Sequence, residues 1–173
     1  YPGTKYQFIP TIDIDAAWAF KKKGVLRTLG GLANAFGNLH FASVFHRIKV
    51  LTGFQPDPFD TYEFQFELQK KYRLNPIYFI LFADYGLNDK NIPVENRAFK
   101  NLIKSLSDYA EVGIHPSYNS NSSTRKLKDE IERLSKVLKR EVTKSRQHFL
   151  KLQLPYTYRN LINLDITDDY TMG

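Results

Sequence analysis

Six consecutive apolar residues, Ile77-Tyr78-Phe79-Ile80-Leu81-Phe82, constrain this chain most. The run is too short for a buried helix and is rich in aromatic and β-branched residues. Asn75-Pro76 precedes it and the acid Asp84 follows, so it reads as a strand covered on both faces. Strands of that kind belong to parallel sheets, whose crossover connections place helices against them. The rest of the chain supplies the alternation such a sheet needs.

Upstream, the aromatic and β-branched stretch from Tyr6 to Ile12 predicts a first buried strand, ending in Asp13-Ile14-Asp15. Period-two alternation puts Asp13 and Asp15 on one side. Two carboxylates at a sheet's mouth repel, share a cation or proton, or cap the next helix. An apolar-periodic stretch from Val25 to Leu51, interrupted by Gly30-Gly31 and Gly37, predicts broken helices. His40 and His46, six apart within it, fit no common ligand pair and read as packing or surface residues. Asp60 with Glu63 resembles a capping box opening a helix through Tyr72, with Phe64, Leu68 and Tyr72 inward.

Beyond the apolar run, a helix is expected from Pro93, burying Phe99, Leu102, Ile103, Leu106 and Ala110. A short strand Glu111–Ile114 leads into His115-Pro116. Ser122 or Ser123 would cap a helix whose inner face is Leu127, Ile131, Leu134, Val137 and Leu138. Arg146 to Leu150 reads as a fourth strand, Tyr156 to Leu161 as a short helix and Ile162 to Thr167 as a fifth strand, followed by Asp168 and Asp169.

This order predicts an α/β fold with a parallel sheet and right-handed crossovers. Functional side chains of such sheets gather at the carboxyl ends of the strands. Those ends carry Asp13 and Asp15, Asp84, His115, Arg146 and His148, and Asp168 and Asp169. His148 has the parity of Arg146, so both can face that rim. Trp18 and Tyr118 follow two of the strand ends and offer rings to stack on a sugar, or else belong to the core. Asp84 and Asp169 read as helix-capping acids.

Composition bounds the partners. The 173 residues are 42% hydrophobic, enough for one core, so 1–173 is expected to be a single domain. There is no cysteine, which excludes disulfides and thiolate metal sites. The net charge of +7 is spread over Lys21-Lys22-Lys23, Lys70-Lys71 and the segment Arg125–Lys144, without a compact basic patch or nucleic-acid motif. In that segment Asp129, Glu130, Glu132 and Glu141 alternate with the basic residues, which predicts a solvated face. Specific nucleic-acid binding is therefore not expected. No run reaches the ~18 apolar residues of a membrane span, and Tyr1 opens no visible signal peptide. The compartment stays open, with the cytoplasm the default expectation. The chain reads as a piece cut from a longer protein.

Asp13-Ile14-Asp15, Glu111-Val112-Gly113-Ile114-His115-Pro116 and Arg146, each closing a strand in this order, resemble the polysaccharide deacetylase (NodB-like) family, carbohydrate esterase family four. The resemblance runs from about Phe8 to the C-terminus and is weakest over Val25–Asp60. It implies a deformed (β/α) barrel, present here as an N-terminal, incomplete portion. It also implies a divalent metal, often zinc, and hydrolysis of acetyl groups from an N-acetylated sugar or polysaccharide. Asp13 would be the general base toward a metal-activated water, Arg146 the group holding that carboxylate, and Asp15 and His115 metal ligands. The family's second metal histidine, four residues after the first, is here Asn119. Three readings follow: Asn119 completes the set, His148 does, or no metal binds. The family's general-acid histidine would lie beyond Gly173. Two other functions stay open, a non-catalytic carbohydrate-binding domain with a degenerate metal site and a basic interaction domain for an acidic polymer.

Overall fold

The computed structural model describes Tyr6 and residues 8–37 and 41–172. Five strands form one sheet: β1 (Thr11–Ile14), β2 (Ile77–Ile80), β3 (Glu111–Ile114), β4 (Lys144–Ser145) and β5 (Asp168–Asp169). They lie in sequence order and every pairing is parallel, as the alternating pattern predicts. A doubly wound sheet reverses its strand order partway. Here each connection advances the same way, which is the winding of a β/α barrel.

Alternation divides the sheet into two faces. Ile12 and Ile14, Tyr78 and Ile80, and Val112 and Ile114 share the core with the helices α4 (Arg97–Tyr109) and α5 (Thr124–Leu138). Phe99, Ile103 and Leu106 of α4 and Leu127, Ile131 and Leu134 of α5 are the buried stripes, at the predicted helical spacing. Asn96 caps α4 by accepting from the Ala98 and Phe99 N–H groups, and Ser123 caps α5 through the Lys126 N–H. Each cap contributes about 1 kcal/mol.

The opposite face carries Asp13, Phe79 and Gly113 in register across β1, β2 and β3. Phe79 is fully buried there against the ring of Tyr170, 5.4 Å away. Gly113 is glycine because a Cβ would sit 2.7 Å from both the Phe79 ring and the Lys144 carbonyl. Arg146, just past β4, donates across this face to the Thr11 hydroxyl of β1 at 2.8 Å. Three strand spacings, about 14 Å, would separate those strands in a flat sheet. The sheet therefore curls toward Asp13, and that curl assembles the site.

Several local expectations give way. The first strand begins at Thr11, and Tyr6 and Phe8 are exposed, because β2 offers its ladder only from Ile77 onward. Gly30-Gly31 does not break α1 (Val25–Gly37); α2 (Phe41–Leu51) follows, and His40 lies outside the described residues. The next helix, α3 (Tyr62–Tyr72), starts after Thr61 with no side-chain cap, so Asp60 and Glu63 form no capping box. Its inward residues are Tyr62 and Phe66, while Phe64 and Tyr72 are exposed. The difference is rotation: the Tyr62 hydroxyl donates to the Ala17 carbonyl and Tyr78 to Gln65, which fixes the inward face. The helix after Pro93 starts only at Arg97.

Glu130 is not on a solvated face. It is buried and accepts from the Ser117 N–H at 3.0 Å and hydroxyl at 2.6 Å, tying α5 to the loop that follows β3. Near the end of the chain, α6 covers Tyr156–Ile162, and Asp168 and Asp169 are themselves β5. Among the described residues no helix is long and apolar enough to cross a membrane.

Candidate metal centre

Asp15 follows β1, His115 follows β3 and His148 lies three residues past β4. Each strand's ladder runs on beyond its regular end: the His115 N–H bonds Ile80 O, Arg146 N–H bonds Ile114 O and His148 N–H bonds Pro116 O. That continuation preserves alternation, so Arg146 and His148 turn to the same side as Asp15 and His115. The strand expected over Arg146–Leu150 ends there. Phe149 and Leu150 adopt left-handed φ values of 59° and 51° and fold into a 3-10 turn.

The Asp15 carboxylate oxygen Oδ1 lies 3.3 Å from His115 Nε2 and 3.6 Å from His148 Nε2. One ligand atom from each of the three lies within 4.8 Å of the others, so they could grip one ion. The far side of each ring fixes the tautomer. His115 Nδ1 is 2.5 Å from the Arg146 carbonyl, which can only accept, so Nδ1 carries the hydrogen. His148 Nδ1 is 3.0 Å from Asp89 Oδ1, a buried carboxylate that also accepts the Tyr118 N–H at 2.9 Å. Each ring therefore turns its Nε2 toward Asp15 Oδ1. A hydrogen on Nε2 bonds to that carboxylate, and a cation in its place would take all three atoms as ligands.

The charges respond accordingly. The His115 imidazole, with His148 second, holds the Asp15 carboxyl well below the usual carboxylate range. Burial pushes the His148 imidazole down, but Asp15 and Asp89 on its two nitrogens outweigh burial and raise it.

Beside this cluster, Arg146 Nε lies 3.6 Å from Asp13 Oδ2, an ion pair too long for a hydrogen bond. Arg146 Nε has no hydrogen-bond partner. Asp13 and Asp15 line one cleft with Pro58, Phe59 and Tyr62, with a volume of about 310 Å³.

The remaining sequence candidates fall as follows. Trp18 is 7% exposed and packs in the core, so it presents no ring to a sugar. Tyr118 is half-buried, with Lys151 Nζ 3.8 Å above its ring and Phe149 edge-on at 5.7 Å. Asn119 is exposed at the start of a 3-10 turn, with its backbone carbonyl accepting from Ser122. Asp84 caps no helix; it pairs with Arg133 of α5 at 2.8 Å. Asp169 accepts from Ser145 and Thr171 instead of capping a helix.

Sequence reasoning missed Asp89 and Phe149. Asp89 sits in an irregular loop after β2 with no motif around it, and only its burial and its two donors mark it. Phe149, exposed and left-handed, stacks 4.4 Å from the His148 ring. Such backbone conformations cost about 1–3 kcal/mol each and gather at functional sites.

No family model matches the sequence, and no curated protein does. The fold does have solved counterparts. A structure assigned as a polysaccharide deacetylase from Mycobacterium smegmatis superposes with a TM-score of 0.55 at 14% identity, over 93% of this chain and 49% of that one. IcaB from Ammonifex degensii superposes with a TM-score of 0.47 at 12% identity, over 64% of this chain and 54% of its own. The chain spans about half the length of these structures. The first superposition shows the fold alone: this chain shares the α/β fold of the Mycobacterium smegmatis structure.

Proposed function

We propose that this chain belongs to a metal-dependent hydrolase that removes acetyl groups from an N-acetylated sugar or polysaccharide. The observation that carries the reading is the convergence of Asp15 Oδ1 and two tautomerically fixed Nε2 atoms beside the Asp13–Arg146 pair. Asp15, His115 and His148 hold a divalent cation, with zinc the best fit to two imidazoles and a carboxylate. His148 takes the place that Asn119 leaves open. When bound, the cation supplies Lewis acidity, lowering the pKa of a water and polarising the acetyl carbonyl.

The chain's own residues do the rest. Asp13 is the general base, taking the proton of the attacking water at its carboxylate. Arg146, tethered to the Thr11 hydroxyl, stands beside that carboxylate and holds it in place. Phe149 and Tyr118 flank the centre and offer ring surface to a sugar's apolar face.

The test is acetate release from an N-acetylated oligosaccharide by zinc-loaded protein, with two variants alongside. Asp13→Asn should abolish turnover and leave zinc stoichiometry intact, while Asp15→Ala should lose both. An Asp13→Asn protein as active as the parent would refute the base assignment.

A further inference from the structure

Helix α1 lies inside out. On a helical projection Val25, Leu29 and Phe36 fall on one face, and all three are exposed. The opposite side faces the body: Arg27 donates from Nη1 and Nη2 to the Asn91 and Lys90 carbonyls, and Gly31 abuts the Arg47 side chain. Helix α2 repeats the arrangement. Phe41, Phe45 and Ile48, at i, i+4 and i+7, are exposed, and the fully buried Val50 lies on the far side. The two stripes join where Phe36 meets Phe41 edge-on at 5.6 Å. A surface helix ordinarily turns its apolar stripe to the core. A continuous apolar face turned outward marks an interaction surface.

Its charge selects the partner. Between Asp15 and Asp57 the sequence has six Lys or Arg residues and no acid. Among the described residues none of the six lies in an ion pair with a carboxylate. Lys22 is exposed, and Lys49 Nζ sits 4.5 Å over the Phe45 ring, at the border of the apolar face. A second copy docking through this face would bring Lys22 and Lys49 against their own counterparts, with no acid between Asp15 and Asp57 in the sequence to pair them, which like-charge repulsion disfavours. Apolar side chains bordered by lysines match the interface of an anionic bilayer, with rings and aliphatic groups in the acyl boundary and ammonium groups among the phosphates.

We infer that the α1–α2 face is a peripheral docking surface for an anionic lipid bilayer. The inference is independent of the hydrolase reading, since its readout is binding.

The test is flotation of the protein with vesicles of phosphatidylglycerol and phosphatidylcholine, against vesicles of phosphatidylcholine alone. The protein should float with the anionic vesicles and not the neutral ones. Leu29→Ser/Phe45→Ser and Lys21→Ser/Lys22→Ser should each weaken partitioning by about tenfold or more. Because the chain has no cysteine, Leu26→Cys accepts a single environment-sensitive dye on an otherwise unaltered fold. Its emission should shift to the blue with anionic vesicles alone. Three results would each overturn the inference: no flotation with no dye shift, flotation untouched by the Leu29/Phe45 variant, or a dimer in solution that this variant dissolves.

Discussion

Asp89→Asn probes the metal centre without touching a proposed ligand. Asp89 accepts from His148 Nδ1 at 3.0 Å and from the Tyr118 N–H at 2.9 Å, and it is buried. Asparagine keeps the shape and one acceptor oxygen but removes the charge. A hydrogen bond to a charged group contributes about 1.5–3 kcal/mol and a neutral one about 0.5–1.5, so each contact weakens by roughly 1 kcal/mol. Only part of that loss differs between metal-free and metal-bound protein, because the His148 ring is oriented in both. An ion held at His148 Nε2 would draw electron density from the ring and make Nδ1–H a stronger donor, so the charged acceptor would matter most in the bound state. A penalty of about 1–2 kcal/mol on the bound state corresponds to a loss of roughly 5- to 30-fold in zinc affinity. Titration of zinc against a competing chelator at neutral pH reads this directly. Asp15→Ala serves as the control for full loss. An Asp89→Asn protein binding zinc as tightly as the parent, with Asp15→Ala unable to bind, would refute the idea that Asp89 orients His148.

Two further perturbations test the scaffold. Gly113→Ala places a Cβ 2.7 Å from the Lys144 carbonyl and the Phe79 ring, so urea unfolding should show a loss of about 1–3 kcal/mol; an unchanged midpoint would contradict the close packing of β3 against Phe79. Burial raises the Glu130 carboxyl above its ordinary range, against the opposing effect of the Ser117 hydrogen bonds. A raised acid favours the folded state while protonated, so that stability is present at low pH and is lost as pH rises through the raised pKa. Thermal melts of Glu130→Gln should therefore lack a decline with rising pH that the parent shows, and parallel profiles would dismiss the buried-acid account.

The residues that made the fold legible are those with no alternative placement. The six-residue apolar run admits little but a doubly covered strand, and β2 occupies its first four positions with Leu81 to Ala83 still buried. Alternation in Asp13-Ile14-Asp15 fixed which acids share a side, and the parity of Arg146 and His148 did the same beyond β4. Where periodicity was ambiguous, tertiary contacts decided. Phe64 and Tyr72 had the spacing of an inner face, yet the hydroxyls of Tyr62 and Tyr78 set the rotation of α3. Tyr6 and Phe8 had strand propensity, but their ladder partners begin only at Ile77. Propensity names a conformation and cannot supply a neighbour.

The site was legible in the same measure. Asp15, His115 and His148 each end a strand extension, so their meeting follows from topology. Asp89 comes from an irregular loop and reaches His148 across 59 positions of sequence, a contact no local pattern encodes. Glu130 likewise alternated with lysines and arginines as a solvated residue would, and only the Ser117 donors opposite it explain its burial.

The central claim is that His148, not Asn119, completes a divalent metal site with Asp15 and His115. X-ray absorption spectroscopy of the zinc-loaded protein tests it most directly, read alongside His148→Ala and Asn119→Ala. The account predicts two imidazoles and oxygen donors around one zinc, one imidazole lost in His148→Ala, and no change in Asn119→Ala. An unaltered spectrum in His148→Ala, or a parent protein that retains no zinc, would contradict it.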